Sequence, residues 1–156
     1  MKTVPALLLF ALALCSVRPA AAASDLMLAP DLSFTDDSSA NFPIKGEALG
    51  DGDISHGRPT VIFFGTAHCW NTNREAERLV ALYPRYRDRL SFIVVDLNAV
   101  APAQRQLVTS YYSGYIPTLA IFNARGDLIY DKAGETGSAR GDTTGLEKLL
   151  QAALGP

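Results

Sequence analysis

Cys69 is the residue of this sequence whose type and position best suit chemistry. It follows a short apolar run, Val61 to Phe64, whose β-branched and aromatic residues predict a strand buried on both faces. Gly65 ends that run, and from Asn71 onward apolar residues recur at helical spacing. Cys69 is therefore predicted at the N-terminus of a helix, where unpaired N–H groups and the helix dipole stabilise a thiolate. The alternative is an inert buried thiol, which is common for free cysteine.

A second segment, from Gly114 to Tyr130, has the pattern of two strands joined by a turn. It places Ile116, Pro117 and Thr118 at the start of an apolar run, followed by turn-forming residues from Asn123 to Gly126 and a second apolar run. The pattern predicts an antiparallel pair of strands.

Together the two segments resemble the thioredoxin superfamily, over roughly residues 28 to 154. Members of that superfamily have a strand–cysteine–helix unit facing an Ile-Pro-Thr segment, which this chain matches at 116–118. The resemblance implies a cis Ile116–Pro117 bond, with Pro117 against the sulfur of Cys69, and a substrate-binding role for Ile116 and Thr118. It also implies a thioredoxin-like α/β fold, in which helices flank a central mixed β-sheet.

The redox motif departs from the superfamily pattern. That pattern is Cys-x-x-Cys, whereas this chain has Cys69-Trp70-Asn71-Thr72, so no disulfide can form within the motif. Many thioredoxins also have a buried acid six residues before the cysteine, where this chain has Phe63. The usual proton acceptor of the resolving step is therefore missing along with the resolving cysteine.

Three neighbours of Cys69 each have two interpretations. Protonated His68 would favour the thiolate, but adjacent side chains often point apart, and a surface histidine is an equal alternative. Trp70 either packs against the rest of the domain or is exposed and offers an apolar contact to substrates. Thr72 either caps backbone donors of the helix or hydrogen-bonds the thiolate as a second cysteine would. On the functional interpretation, Cys69, His68, Thr72 and Pro117 form the catalytic set.

The first 23 residues have the pattern of a secretory signal peptide. An apolar run reaches Cys15, and small residues follow it up to a cleavage site at Ala21-x-Ala23. The run is too short to span a bilayer. Acylation of Cys15 is a less favoured alternative, because Leu14 stands where lipoprotein signals have a small residue. We therefore predict a secreted or periplasmic protein whose single domain is residues 24–156.

Charge and ligand types limit the partners. Removing residues 1–23 takes away two of the 14 basic residues and none of the 16 acidic ones, so the predicted mature chain is mildly acidic. This argues against nucleic acid or an anionic membrane as the main partner, and no later segment is apolar enough to cross a membrane. His56 and His68 are the only histidines, and their spacing suits no metal site, so no metal or cofactor is predicted. We expect a monomer whose partners are protein thiols and disulfides or small thiols such as glutathione.

The remaining patterns complete the element order. Pro84 is predicted to kink or end the first helix, 90–95 to form a strand, and Pro102 to begin the next helix. Thr144 and Glu147 have the spacing of a capping box for the last helix. At the other end, residues 29–34 and 57–60 resemble extracytoplasmic redoxin-type thioredoxins, in which an N-terminal hairpin covers one end of the domain. Residues 36–40 and 50–57 are predicted loops.

Three function classes fit this sequence. The first is a monothiol redox protein, an isomerase or reductase whose mixed disulfides are resolved from outside. The second is a one-cysteine peroxidase, but Ile62 replaces the proline of peroxiredoxins, and the later Gln and Trp-Asn motifs of glutathione peroxidases are missing. The third is a binding or assembly module that kept the fold and lost the chemistry. We favour the first class, because a module without chemistry would be free to lose Cys69 as well.

Overall fold

A computed structural model describes residues 26–28, 41–45, 54, 57–134 and 141–156. Its strands are β1 (Met27–Leu28), β2 (Ile44–Lys45), β3 (Thr60–Gly65), β4 (Ser91–Asp96), β5 (Thr118–Phe122) and β6 (Leu128–Ala133). Its α-helices are α1 (Trp70–Tyr86), α2 (Arg105–Tyr111) and α3 (Thr144–Leu154). A single 3-10 turn, Pro102–Gln104, leads into α2, with the proline at its start as the sequence predicts.

β3 lies inside a four-stranded mixed sheet with the order β4-β3-β5-β6. It runs parallel to β4 and antiparallel to β5, and β6 runs antiparallel to β5. Every residue of β3 is buried, as expected for a strand covered on both faces of its sheet. This mixed sheet with flanking helices is the predicted thioredoxin-like α/β fold, which is thus confirmed.

Two apolar clusters hold the helices against the sheet. Because alternate residues of a strand point to opposite faces, Val61 and Phe63 join the larger cluster with α1 and α3. Ile62 and Phe64 join the smaller cluster, which includes Leu107 of α2. The end of β3 is therefore packed on both faces of the sheet. This packing holds the start of the turn that follows in a fixed position.

α1 has the predicted apolar face, and it ends close after Pro84 as the sequence predicts. Ala76, Leu79 and Tyr83 are buried as the spacing predicts. Pro84 lies inside the last turn, and the helix continues to Tyr86. This position is tolerated because the proline removes one backbone donor only near the helix end, where the Arg87 N–H still reaches the Tyr83 carbonyl at 2.9 Å.

The capping box predicted for α3 is wrong. The helix begins one residue earlier than that motif requires, with Thr143 as its N-cap. The Asp142 carboxylate instead accepts the backbone N–H of Thr144 at 2.9 Å. Glu147 reaches α1, where it forms an ion pair with Arg85 at 2.9 Å and accepts the hydroxyl of Tyr86 at 3.0 Å.

The turn between β5 and β6 and the N-terminal strands agree with the predictions. The side-chain oxygen of Asn123 accepts the N–H groups of Arg125 and Asp127 at 2.9 and 3.0 Å, as in an Asx turn.

β1 and β2 pair antiparallel, and the ring of Phe42 lies 6.2 Å from that of Phe63. The predicted signal peptide and the predicted loop 36–40 lie outside the described residues, and of the predicted loop 50–57 only residues 54 and 57 are described. Among the helices of the described part, none has the length and apolar character needed to cross a membrane.

Candidate functional site

Cys69 is half-buried and is the N-cap residue of α1. Its backbone is extended, with φ −117° and ψ 114°, and its carbonyl accepts the N–H of Asn73 at 3.0 Å. No side chain caps this end of the helix, and no hydrogen bond within the described residues reaches the sulfur. The N–H groups of the first helical turn are therefore left for an anion, such as a thiolate or a group bound beside it.

His68 precedes the thiol in a left-handed backbone conformation, with φ +56°. Residues other than glycine rarely adopt this region, although histidine tolerates it better than most. The side chain is exposed, and in the described part of the chain it has no ion pair or hydrogen bond. The sharp reversal at His68 turns the chain from the end of β3 into α1.

Thr72 is fully buried and fixes this reversal. Its hydroxyl oxygen accepts the backbone N–H of Thr66 at 3.3 Å, a donor that belongs to the turn rather than to the helix. Its methyl group lies 2.6 Å from the point that a Cβ on Gly65 would occupy. Only glycine fits at the end of β3 while Thr72 keeps this position. The sequence identified both residues but not their contact.

Pro117 is buried, and its bond with Ile116 is cis. Phe64 pairs with Thr118 across β3 and β5, so Pro117 lies level with Gly65, at the end of the sheet where the Cys69 turn begins. The Thr118 hydroxyl donates to the Tyr115 carbonyl at 2.6 Å and lies 2.9 Å from the Ser113 hydroxyl. Thr118 is fully buried, so its hydroxyl holds the loop before Pro117.

Exposed apolar side chains lie beside both parts of this site. Trp70, the first residue of α1, is 52% exposed, and Tyr115 and Ile116, before Pro117, are 66% and 36% exposed. The guanidinium of Arg74 lies 4.2 Å from the centre of the Trp70 ring, a cation–π contact that holds the indole on the surface. The sequence analysis did not identify Tyr115 as a site residue. Its position between Gly114 and Pro117 could have indicated an exposed loop residue beside the site. Apolar surface next to a thiol suits the docking of a polypeptide.

Glu75 and Arg78 form a buried ion pair close to Pro117. The sequence analysis did not predict this pair. The two side chains are 1% and 0% exposed, and Glu75 Oε2 lies 2.8 Å from Arg78 Nη1. Arg78 Nε donates to the Asp142 carbonyl at 2.9 Å. A Cβ on Gly134 would lie 2.9 Å from Pro117 Cγ and 3.2 Å from Glu75 Cδ, so the carboxylate and the proline ring approach each other across Gly134. The clue in the sequence was two charged residues on the apolar face of a helix.

The same carboxylate borders a cavity of about 360 Å³ between α3 and the sheet, with walls formed mostly by Leu119, Tyr130, Leu146 and Leu149. The cavity lies on the α1 and α3 face of the sheet. No cluster of three or more metal-binding side chains occurs among the described residues.

Comparisons with known proteins find a match among solved structures only. No family model matches the sequence. No curated protein matches it either. Among solved structures, the chain is similar to a thioredoxin-like protein studied in solution in its oxidised form. The two share 20% identity over 66% of this chain and 85% of the other, with a TM-score of 0.48.

Proposed function

We propose that this chain is a secreted or periplasmic monothiol redox protein that forms mixed disulfides through Cys69. The observation that carries the proposal is a half-exposed thiol at an uncapped helix N-terminus, at the same end of the sheet as the cis-proline. Dipole and N–H groups at that position favour the thiolate, which is the nucleophile in disulfide exchange. The signal-peptide pattern of the first 23 residues supports the oxidising compartment that such chemistry needs.

The proposed reaction is one exchange with a disulfide of a partner protein or of a small thiol. The Cys69 thiolate attacks one sulfur of that disulfide, a new sulfur–sulfur bond forms, and the second sulfur leaves as a thiolate that takes a proton from water. No net electrons are gained or lost, since one disulfide replaces another. Because Thr72 has no thiol, the adduct is released only when an external thiolate attacks one of its two sulfurs.

The exposed side chains of Trp70, Tyr115 and Ile116 support a polypeptide as the partner. They offer exposed apolar surface directly after Cys69 and directly before Pro117, and aromatic residues are common where proteins bind one another. The chain acts as a monomer in this proposal, with one thiol for each partner.

The test is to isolate the protein from an oxidising compartment with free thiols blocked, followed by non-reducing electrophoresis and intact mass. Wild type is expected to carry adducts at Cys69, and Cys69→Ser to carry none. Thr72→Cys is expected to shorten the lifetime of the adducts and to add dithiol reductase activity, provided that the two sulfurs reach bonding geometry.

One result would overturn the mechanism. If Cys69 is recovered wholly as free thiol and stays so when glutathione disulfide is added, the chain does not exchange disulfides. A binding module that keeps the fold without the chemistry would then be the better account.

A further inference from the structure

Asn73 is a buried polar side chain without a hydrogen-bond partner. It is 1% exposed, and within the described part of the chain neither its amide nitrogen nor its amide oxygen is bonded. Burying an unpaired carboxamide is unfavourable, and such groups are uncommon in native proteins. An apolar residue at this position would avoid that cost. Packing alone therefore does not explain why the residue is an asparagine.

The position of Asn73 relates it directly to the thiol. Its backbone N–H donates to the Cys69 carbonyl at 3.0 Å, so the two residues close the first turn of α1. Residues four apart lie on one side of a helix, and each side chain leans toward the N-terminus over the preceding turn. The turn that precedes Asn73 begins with Cys69.

Other polar side chains around this turn have contacts of their own, although Arg74 Nε is also buried without a hydrogen-bond partner within the described residues. The Thr72 hydroxyl accepts the N–H of Thr66, and the Arg74 guanidinium lies over the Trp70 ring. Glu75 is paired with Arg78. The His68 side chain is exposed. Asn73 is the fully buried residue of this turn whose side-chain nitrogen and oxygen are both unbonded within the described part of the chain.

We propose that the Asn73 carboxamide donates a hydrogen bond to the sulfur of Cys69 when that sulfur is ionised. A neutral thiol is a weak acceptor, so the bond is absent in the thiol state and forms by rotation of the Asn73 side chain when the proton leaves to solvent. A thiolate accepts such a bond far more strongly, because the acceptor carries charge. The donor approaches from the protein interior, and the outer face of the sulfur stays open to the partner.

This role deepens the proposed function, on which it rests. It gives Asn73 a role like the one that the sequence predicts for the hydroxyl of Thr72, whose oxygen accepts the Thr66 N–H in this structure. Asn73 keeps both amide hydrogens throughout, so it acts as a donor and transfers no proton.

The test compares Asn73→Ala with Asn71→Ala, a matched loss of an amide two residues nearer the helix start, where the side chain is half-buried. The rate of Cys69 alkylation by iodoacetamide is measured against pH on the reduced protein. In Asn73→Ala the midpoint of the profile is expected to rise by about one pH unit, the size of one lost charge-assisted hydrogen bond. The midpoint in Asn71→Ala is expected to stay at the wild-type value.

Thermal unfolding separates this role from a structural one. Because Asn73 is unpaired while the thiol is protonated, Asn73→Ala is expected to keep or raise the Tm at a pH below the midpoint. Asn73→Leu, which keeps the number and branching of the side-chain heavy atoms, serves the same test if the alanine variant does not fold. An unchanged midpoint in either folded variant overturns the proposal. If wild type forms adducts while the midpoint is unchanged, only this inference fails; if wild type forms none, the proposed function fails.

Discussion

At the scale of single residues, the site is fixed by close contacts that the sequence does not display. Gly65 and Thr72 are the clearest pair, since the methyl of Thr72 occupies the space beside the Gly65 backbone. Thr72 therefore has a steric and a hydrogen-bonding role in shaping the turn that carries Cys69.

We expect Gly65→Ala to destabilise the fold by about 1–3 kcal/mol, the usual cost of overpacking a tight core. The new Cβ would lie 2.6 Å from the Thr72 methyl. Thr72→Ser removes that methyl and keeps the hydroxyl that binds the Thr66 N–H. The double variant should therefore lose less stability than the sum of the two single changes, as measured by urea unfolding. Strict additivity would show that another contact of Gly65 carries the cost.

At the scale of secondary-structure elements, α1 is tied to the segment just before α3 by a buried arginine that also forms an ion pair within α1. Glu75 and Arg78 lie on the apolar face of α1, and Arg78 also donates to the Asp142 carbonyl just before α3. The pair is short, at 2.8 Å, and both side chains are almost fully buried. Buried ion pairs add little net stability, but removing one partner leaves an uncompensated charge.

We expect Glu75→Leu alone to cost about 3–5 kcal/mol in the free energy of unfolding, because it leaves the Arg78 guanidinium buried without its carboxylate. The double variant Glu75→Leu with Arg78→Leu removes both charges and should cost clearly less. Chemical denaturation of the two variants and wild type measures the difference. A double variant no more stable than the single one would indicate that the bond from Arg78 to Asp142 dominates.

At the scale of the whole molecule, stability depends on pH through a second contact between α1 and α3. Hydrogen bonds from Arg85 and then from Tyr86 lower the pKa of Glu147 below its ordinary value of 4.5. A carboxyl whose pKa is depressed on folding stabilises the native state above its unfolded pKa, and that contribution is lost as the pH falls through the folded pKa. The contribution is therefore fully present at neutral pH, and it is lost as the pH falls from about 4.5 through the folded pKa.

We expect Glu147→Gln to lower the Tm slightly at pH 7 and to leave it unchanged in acid below the folded pKa of Glu147. The ion pair is exposed, so the effect is small and should shrink further at high salt. Calorimetry across this pH range measures the difference between the variant and wild type. Equal Tm values at pH 7 would show that the Arg85 and Tyr86 contacts contribute nothing measurable to folding.

The sequence by itself determined the fold class, the β5–β6 turn and the residues of the cysteine and proline turns. Those features follow from local patterns: an all-apolar strand, helical spacing after Asn71, and turn-forming residues from Asn123 to Gly126. The true start of α3 was missed by one residue, because Thr143 and Thr144 are both chemically suited to a helix cap, and only the surroundings decide between them.

Only the tertiary structure decided how the site is supported. The contact of Thr72 with Gly65, the approach of Glu75 to Pro117 across Gly134, and the unpaired burial of Asn73 all depend on which elements pack together. Periodicity places a residue on a face of a helix, but it does not state what covers that face. Burial and partners arise from contacts between segments far apart in the chain, which no local pattern records.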